Sequence, residues 1–196
     1  EQLNIHYLDY PGSGPETLVL LHGLSANAAC FEGLIKAGLT NLGRVVSIDL
    51  RGRGKSDKPE GPYSMASHAA DVTEVIRTLK LDKIILGGHS FGALLSIYIA
   101  NHYPQYIKKV IIMDAAARLH ENVREMVAPS TQRLLNDPYP SYSDFILGIK
   151  EAPYLDGVWN PEIEAYYEAD VETLFDGTVR HRSSHRHIQL AIEGLL

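Results

Sequence analysis

Short apolar runs alternate with helical patterns along the first 117 residues, and this alternation restricts the fold more than any other feature. These runs, which are mostly apolar, lie at residues 17–21, 44–50, 83–86 and 110–113, and the helical patterns lie at residues 26–39, 65–79 and 91–102. A short, unbroken apolar run is typical of a strand that is covered on both faces. Strands that alternate with helices in this way predict an α/β fold, with a mostly parallel sheet and helices on both faces.

The carboxyl ends of these strands are the places where functional groups are expected. Residues 3–10 alternate apolar and polar side chains and predict one further, half-buried strand. In open α/β sheets, ligands bind beyond the carboxyl ends of the strands. Functional residues are therefore expected within residues 22–24, 49–55, 88–92 and 114–117.

Composition excludes several classes of protein. The chain has 18 basic and 24 acidic residues, which argues against a binder of nucleic acid, and it has one cysteine, Cys30, which excludes an internal disulfide framework. No apolar run approaches the roughly 18 residues that a membrane span needs. The chain opens without a signal-peptide pattern. We therefore expect a soluble, cytoplasmic protein.

The pattern changes after Ala117. Residues 1–117 hold 11 basic and 11 acidic side chains, whereas residues 118–196 hold 7 basic and 13 acidic ones. This second region has helix-like stretches, many aromatic residues and no run typical of a strand. We interpret residues 1–117 as the sheet domain and residues 118–196 as an acidic, helical cap whose aromatic side chains form its own small core.

The strongest chemical signal is the pentapeptide Gly88-His89-Ser90-Phe91-Gly92. It matches Gly-x-Ser-x-Gly and stands directly after an apolar run and directly before an amphipathic helix. That context is the one a nucleophile elbow requires, because a serine on a sharp strand-to-helix turn needs small residues two positions away on either side. The alternative is an ordinary strand–helix turn that matches the pattern by chance. We identify Ser90 as the candidate nucleophile.

A serine nucleophile also needs hydrogen-bond donors for the oxyanion that develops during acyl transfer. Such donors come from the residue after the nucleophile and from the loop after an earlier strand. The tripeptide His22-Gly23-Leu24 follows the run at residues 17–21. The candidate oxyanion donors are therefore the backbone N–H groups of Leu24 and Phe91. A tight turn that needs Gly23 only for packing is the alternative, and both interpretations can hold together.

Three segments, in this order, resemble the α/β-hydrolase superfamily in its esterase and cofactor-free hydrolase branch. They read HGLSAN, DLRGRGKSDKP and GGHSFGA. The resemblance implies that Ser90 is the nucleophile, that Leu24 and Phe91 form the oxyanion hole and that residues 49–59 are structural. It also implies that residues 118–196 are the family's inserted cap. Epoxide hydrolases and haloalkane dehalogenases of this family carry aspartate at the Ser90 position, so Ser90 argues against both chemistries.

The resemblance also implies a triad in the order serine, acid, histidine, with the histidine after the last strand of the sheet. No histidine of this chain stands in that place. We therefore leave the base unassigned within the chain and expect a complementing C-terminal segment to supply it. The candidate acid is Asp114, which ends the run at residues 110–113, because some family members carry their acid there. In other members an aspartate at that position only bonds to nearby loops.

Histidines inside the chain are weaker candidates for the base. His22 and His89 belong to the motifs, His68 and His102 lie on predicted helices, and His120, His181, His185 and His187 lie in the cap. The spacing of His181 and His185 is compatible with metal binding on a helix, but no acid or cysteine accompanies them, so a solvated basic stretch is the preferred interpretation. We predict no metal and no cofactor.

The sequence therefore predicts a serine hydrolase that cleaves an ester, or a similarly activated acyl bond, of a small apolar substrate. Carbon–carbon bond hydrolases of the family share the same triad and stay open as an alternative. A noncatalytic ligand-binding protein and an inactive fragment without its base stay open as well. If the final strands are absent, the run at residues 110–113 becomes a sheet edge, and the apolar face of the helix predicted at residues 187–196 lacks a partner. Both features predict a homo-oligomer.

Overall fold

The computed structural model describes residues 3–115, 131 and 138–195, and its central feature is a five-stranded sheet. The strands are β1 (Tyr7–Tyr10), β2 (Glu16–Leu21), β3 (Gly43–Ile48), β4 (Ile84–His89) and β5 (Ile107–Met113). Their spatial order is β1-β3-β2-β4-β5, with β1 antiparallel to β3 and the other neighbours parallel. The predicted α/β class and mostly parallel sheet are confirmed.

Helices cover both faces of this sheet because its strands alternate their side chains between two cores. One face packs against α2 (Met65–Thr78) and α3 (Phe91–His102), which contribute residues such as Ile76 and Leu95. The opposite face packs against a 3-10 turn (Ala28–Phe31) and α1 (Glu32–Lys36). Within β2, Val19 and Leu21 belong to the first core, and Leu18 and Leu20 to the second. This period of two is that of a strand buried on both faces.

The order in which strands are added to the sheet reverses between β2 and β4. From β2 the chain moves to β3 on one side, and then returns to place β4 on the other side of β2. The loops that follow β2 and β4 therefore diverge and leave a crevice between their carboxyl ends. The sequence places its two strongest motifs in these two loops.

The predicted cap contains two strands that the sequence analysis did not anticipate, so the expectation of an all-helical region is wrong. Helices α4 (Tyr142–Lys150) and α5 (Pro161–Asp170) are followed by the hairpin strands β6 (Val171–Thr173) and β7 (Val179–His181). Three-residue strands are too short to show the alternation by which strands are predicted.

The helices and the hairpin share a separate core built around Phe145, Tyr167 and Val179, with Trp159 stacked on Tyr167. Tyr139, Tyr142 and Tyr166 pack against this core, as predicted, whereas Tyr154 and Phe175 are exposed. The domain boundary at residue 117 stays a prediction, because residues 116–130 lie outside the described part of the chain.

The basic stretch near the end of the chain is also partly buried, contrary to the prediction. His181 lies on β7, whereas His185 begins α6 (His185–Glu193), so the two do not share a helix. The ring of His181 is buried, with Nδ1 3.1 Å from Asp170 Oδ2. A helical metal pair is therefore excluded for these two residues.

The last helix, α6, has a partner for its apolar face, contrary to the expectation from the sequence. Ile188, Ala191 and Ile192 are buried in the same core as α2 and α3. The helix therefore packs on the sheet domain although the sequence analysis placed it in the cap. Its N-cap serine, Ser184, accepts a hydrogen bond from the backbone N–H of His187.

Two further elements differ from the prediction for physical reasons. The helix predicted at residues 26–39 is broken into short turns around α1, and Gly38 adopts a φ of +97°, which ends the helical path. The run at residues 110–113 is a strand, but Ile111 and Ile112 are 43% and 42% exposed. Among the described residues, β5 has a neighbouring strand on one side only, so it forms an edge of the sheet.

We expect the 196-residue chain to self-associate through β5. Lys108 and Lys109 lie near the start of β5, but residues 110–113 are apolar. An apolar stretch of an edge strand is a template for pairing with a second chain, and a charge within it disfavours such pairing. Size-exclusion chromatography with light scattering should show dimers or larger species, and Ile111→Lys should return a monomer. Ile97→Lys is the matched control, because Ile97 is 40% exposed but lies on α3. A monomeric parent chain, or equal dissociation by both variants, would contradict the prediction.

No helix among the described residues has the length and apolar character needed to cross a membrane.

Candidate active site

Ser90 occupies a strained turn between β4 and α3. Its backbone has a φ of +51° and a ψ of −113°, a conformation that residues other than glycine rarely adopt. Such strain persists where the surrounding structure enforces it, and it is concentrated at functional sites. The turn places Ser90 at the N-terminus of α3, where backbone N–H groups lack partners within the helix. The sequence motif therefore forms the predicted elbow geometry.

The two glycines of the motif are required by contacts that leave no room for a side chain. A Cβ atom on Gly88 would lie 2.1 Å from the carbonyl oxygen of Gly92, and one on Gly92 would lie 2.1 Å from the carbonyl oxygen of Leu21. Backbone atoms cannot move aside as a flexible side chain can. The close approach of β4, α3 and the end of β2 explains the Gly-x-Ser-x-Gly spacing.

The loop after β2 lies directly beside the elbow. A Cβ atom on Gly23 would be 3.6 Å from Cβ of Ser90 and 3.0 Å from Nδ1 of His89, so only glycine allows this approach without displacement of the His89 ring. Leu24 is the next residue, and Phe91 is the first residue of α3. The structure thus brings the candidate oxyanion residues to the two segments that flank Ser90.

Asp114 lies at the same edge of the sheet as Ser90. The backbone N–H of Ser90 donates a hydrogen bond to the carbonyl oxygen of Met113, at 3.0 Å, so the elbow is tied to the residue that precedes Asp114. Asp114 has a φ of +48°, and its side chain is 94% exposed, with Oδ2 3.8 Å from Nε2 of His89. Its carboxylate is therefore accessible to a group from outside the described residues.

The described histidines make contacts away from Ser90, and no hydrogen bond joins the Ser90 hydroxyl to any of them. The hydrogen-bond partners are Asp49 for His6, Gly23 and Leu50 for His22, Ser64 and Arg53 for His68, Tyr98 for His102, Asp170 for His181, Gln189 for His185 and Ser184 for His187. The ring of His89, which precedes Ser90 in the chain, lies 3.8 Å from Asp114. His120 lies outside the described residues. The base therefore has no assignment within the described part of the chain.

Two of these histidines, His22 and His68, have neutral rings that hydrogen-bond to the loops around the site. His22 Nδ1 donates to the carbonyl oxygen of Gly23 at 2.7 Å, and its Nε2 accepts from the N–H of Leu50 at 3.0 Å. His68 Nδ1 donates to the carbonyl oxygen of Ser64, and its Nε2 accepts from Arg53 at 2.8 Å. Burial lowers the pKa of both rings, that of His68 to about 2. Neither ring is available to shuttle protons near neutral pH.

This burial predicts a loss of stability in mild acid. The unfolded chain protonates both histidines near pH 6.5, whereas the folded chain does so only at lower pH. The free energy of unfolding is therefore fully retained above pH 6.5 and falls as the pH drops below it. At pH 5 the slope from these two rings should be about 2.7 kcal/mol per pH unit, roughly half of it from each.

Urea unfolding between pH 5 and 7 measures this slope. His68→Gln should reduce this slope by about half, because only one of the two buried histidines is then left to take up a proton on unfolding. His102→Gln is the control, since His102 is exposed on α3, and it should leave the slope as in the parent chain. A His68→Gln slope equal to that of the parent chain would show that His68 does not titrate on unfolding.

In the part of the chain that the structure describes, no three histidine, cysteine, aspartate or glutamate residues are grouped so that they could hold a metal ion.

Comparison with known proteins places this geometry in a family. A family model described as alpha/beta hydrolase fold matches residues 16–146, a range that begins with β2 and includes Ser90 and Asp114. The chain belongs to the alpha/beta hydrolase fold family. The predicted superfamily is thereby confirmed.

Sequence matches to individual hydrolases cover parts of the chain. It is 40% identical to 2-(acetamidomethylene)succinate hydrolase of Mesorhizobium japonicum over 103 residues, which are 53% of this chain and 36% of that protein. It is 31% identical to sn-1-specific diacylglycerol lipase ABHD11 of Danio rerio over 120 residues, which are 60% of this chain and 37% of that lipase. The matches thus span little more than a third of these two curated relatives.

A solved structure of E-2-(acetamidomethylene)succinate hydrolase superposes with a TM-score of 0.82 at 26% identity. The superposition covers 98% of this chain and 68% of that structure. The similarity to this solved structure therefore extends beyond the residues that the family model matches.

Proposed function

We propose that this chain carries the nucleophile and the oxyanion hole of a serine hydrolase that cleaves an ester, or a similarly activated acyl bond, of a small substrate. The observation that carries the proposal is the backbone of Ser90, held at a φ of +51° beside Gly23 and at the N-terminus of α3. The family membership supports hydrolysis. The names of two relatives, a diacylglycerol lipase and an acetamidomethylene succinate hydrolase, support an acyl substrate.

The proposed chemistry assigns one role to each group. Ser90 Oγ attacks the substrate carbonyl carbon, and its proton passes to the base. The N–H groups of Leu24 and Phe91 donate hydrogen bonds to the oxyanion that forms. The leaving group departs with a proton from the base, and water then hydrolyses the acyl-serine. Asp114 is the proposed acid that orients the base, because it lies at the same sheet edge and its carboxylate is exposed.

The base is proposed to come from outside residues 1–196. Because no described histidine bonds to Ser90, the 196-residue chain alone should hydrolyse p-nitrophenyl esters at a small fraction of the rate of a longer natural chain that includes the base. Only the oxyanion hole and substrate positioning would remain. Full turnover by the 196-residue chain itself would contradict this assignment, and would mean that a histidine within the chain reaches Ser90.

Trapping the acyl-enzyme tests the proposed function. The longest natural chain that contains this sequence is mixed with p-nitrophenyl acetate and quenched in acid during turnover. We expect an acetyl group on the peptide that contains Ser90 and a burst of p-nitrophenol equal to the enzyme concentration. Saturable binding of the ester without turnover or adduct would favour a noncatalytic ligand-binding protein.

A further inference from the structure

Arg53 is fully buried and touches both residues of the proposed oxyanion hole. Its Nε donates a hydrogen bond to the carbonyl oxygen of Leu24 at 3.0 Å, and its Cζ lies 5.1 Å from the centre of the Phe91 ring, over the ring face. Leu24 follows β2 and Phe91 begins α3, so a single side chain connects the two segments that flank Ser90. This connection fixes the distance between them.

The guanidinium group is itself held rigidly. Its Nη1 donates to the carbonyl oxygen of Arg51 at 2.6 Å and to Nε2 of His68 at 2.8 Å. The His68 ring packs edge-on against Phe91, with ring centres 5.1 Å apart. Arg53, His68 and Phe91 therefore form one packed unit below the loop that carries Leu24. A side chain fixed at this many points transmits little motion to the groups it contacts.

The positive charge of Arg53 is not neutralised by a carboxylate among the described residues. Its Nη2 is buried and has no hydrogen-bond partner there, whereas neighbouring Arg51 is paired with Asp71 at 2.6 Å. Burial lowers the pKa of Arg53 to about 10, which leaves the group charged at neutral pH. Burial raises the pKa of the adjacent Tyr63 hydroxyl to about 12, so Tyr63 is neutral.

A buried, unpaired charge is expensive, and its retention indicates a use. An oxyanion held by the Leu24 and Phe91 N–H groups would develop negative charge next to two residues that this guanidinium contacts, in surroundings where charges interact more strongly than in water. The ground-state ester carries no such charge. The interaction would therefore strengthen in the transition state, which is the condition for raising kcat.

We propose that Arg53 is a positioning residue for the oxyanion hole, which fixes the Leu24 and Phe91 segments and places a positive charge behind them. The inference rests on the proposed function, because it assigns Arg53 a role in the same acyl-transfer site. It predicts that changes at Arg53 reduce kcat and the binding of oxyanion-bearing inhibitors by one common factor. It also predicts that they leave KM and the binding of uncharged ground-state analogues nearly unchanged.

The experiment compares Arg53→Met, Arg53→Lys and the control Arg51→Met in the longest natural chain that contains this sequence. Arg51 is the matched control because it is buried in the same loop but contacts Asp71 and Pro62 instead of the oxyanion segments. We measure kcat and KM for a p-nitrophenyl ester, the affinity for a trifluoromethyl ketone and the melting temperature. Removal of one direct oxyanion donor costs about 100-fold or more in kcat, so loss of its support should cost roughly 10- to 100-fold.

Arg53→Met should lower kcat and trifluoromethyl ketone affinity together by that factor, with KM within about threefold of the parent value. Arg53→Lys keeps the positive charge but lacks the planar guanidinium group and its set of donors. Its losses in kcat and in ketone affinity should therefore be smaller than those of Arg53→Met. Arg51→Met should lower the melting temperature with no selective loss of ketone affinity. Parental ketone affinity in Arg53→Met, or losses equal to those of Arg51→Met, would overturn the proposal.

If Arg53→Met does not fold, Arg53→Lys decides alone, and parental kcat and ketone affinity in that variant would overturn the proposal. Failure of the proposed function has a different signature, because turnover would then persist in Ser90→Ala whatever residue occupies position 53.

Discussion

Replacement of Ser90 by alanine should reduce ester turnover by about 10⁴-fold or more, because the attacking oxygen is removed while the rest of the site stays in place. Cβ is retained in the variant, so the turn that holds residue 90 at a φ of +51° has no new group to accommodate. The measurement is the steady-state rate of p-nitrophenyl ester hydrolysis in the longest natural chain that contains this sequence.

The control for this variant is Ser96→Ala on the same helix. Ser96 is buried, and its hydroxyl donates to the carbonyl oxygen of Gly92 at 2.8 Å, so the change removes a hydroxyl of the same kind near the same turn. We expect Ser96→Ala to keep turnover within a few-fold of the parent. If Ser90→Ala keeps turnover to the same degree, Ser90 is not the nucleophile.

Asp114→Asn should lower kcat by about 10³- to 10⁴-fold if Asp114 is the acid that orients the base, because an amide cannot stabilise the protonated imidazole or enforce its tautomer. KM should change only a few-fold, since the proposed role gives this carboxylate no contact with the substrate. Both constants come from steady-state ester hydrolysis by the same longer chain.

Asp82→Asn is the matched control, because Asp82 is exposed and precedes β4 at the opposite end of the strand from Ser90. It should retain parental kcat. A loss of only a few-fold in Asp114→Asn would move the triad acid to a different residue and leave Asp114 with a structural role.

The sheet and the elbow could be predicted from the sequence because their signals are local. Four of the five strands are short, mostly apolar runs, and the Gly-x-Ser-x-Gly glycines are required because a Cβ atom at either position would lie 2.1 Å from a backbone oxygen. The structure shows Leu24, Phe91 and Asp114 at the same edge of the sheet as Ser90, where the strand ends predicted them. Their chemical roles remain predictions.

The features that the sequence did not predict depend on contacts between distant segments. The β6–β7 hairpin is held by cap residues such as Phe145 and Tyr167, and its strands are too short to have a period of their own. The amphipathic pattern of α6 predicts that one face is buried, but it does not show which core that face packs against.

Arg53 is the clearest residue that the sequence analysis missed, because a second arginine in RGRGKSDKP is typical of a polar loop. Its full burial against Leu24, His68 and Phe91 is visible only in three dimensions. A charge of this kind is ordinary in a solvated loop. It becomes a functional hypothesis because the guanidinium is buried and, among the described residues, has no carboxylate partner.

Covalent labelling at Ser90 tests the central claim most directly, because it reports on the nucleophile whatever the natural substrate is. A fluorophosphonate is added to the longest natural chain that contains this sequence, and the labelled residue is located by peptide mass spectrometry. We predict one label per chain, on Ser90, with a labelling rate that vanishes in Ser90→Ala. A label on another residue, or a parent chain that hydrolyses esters without taking up the probe, would contradict the account.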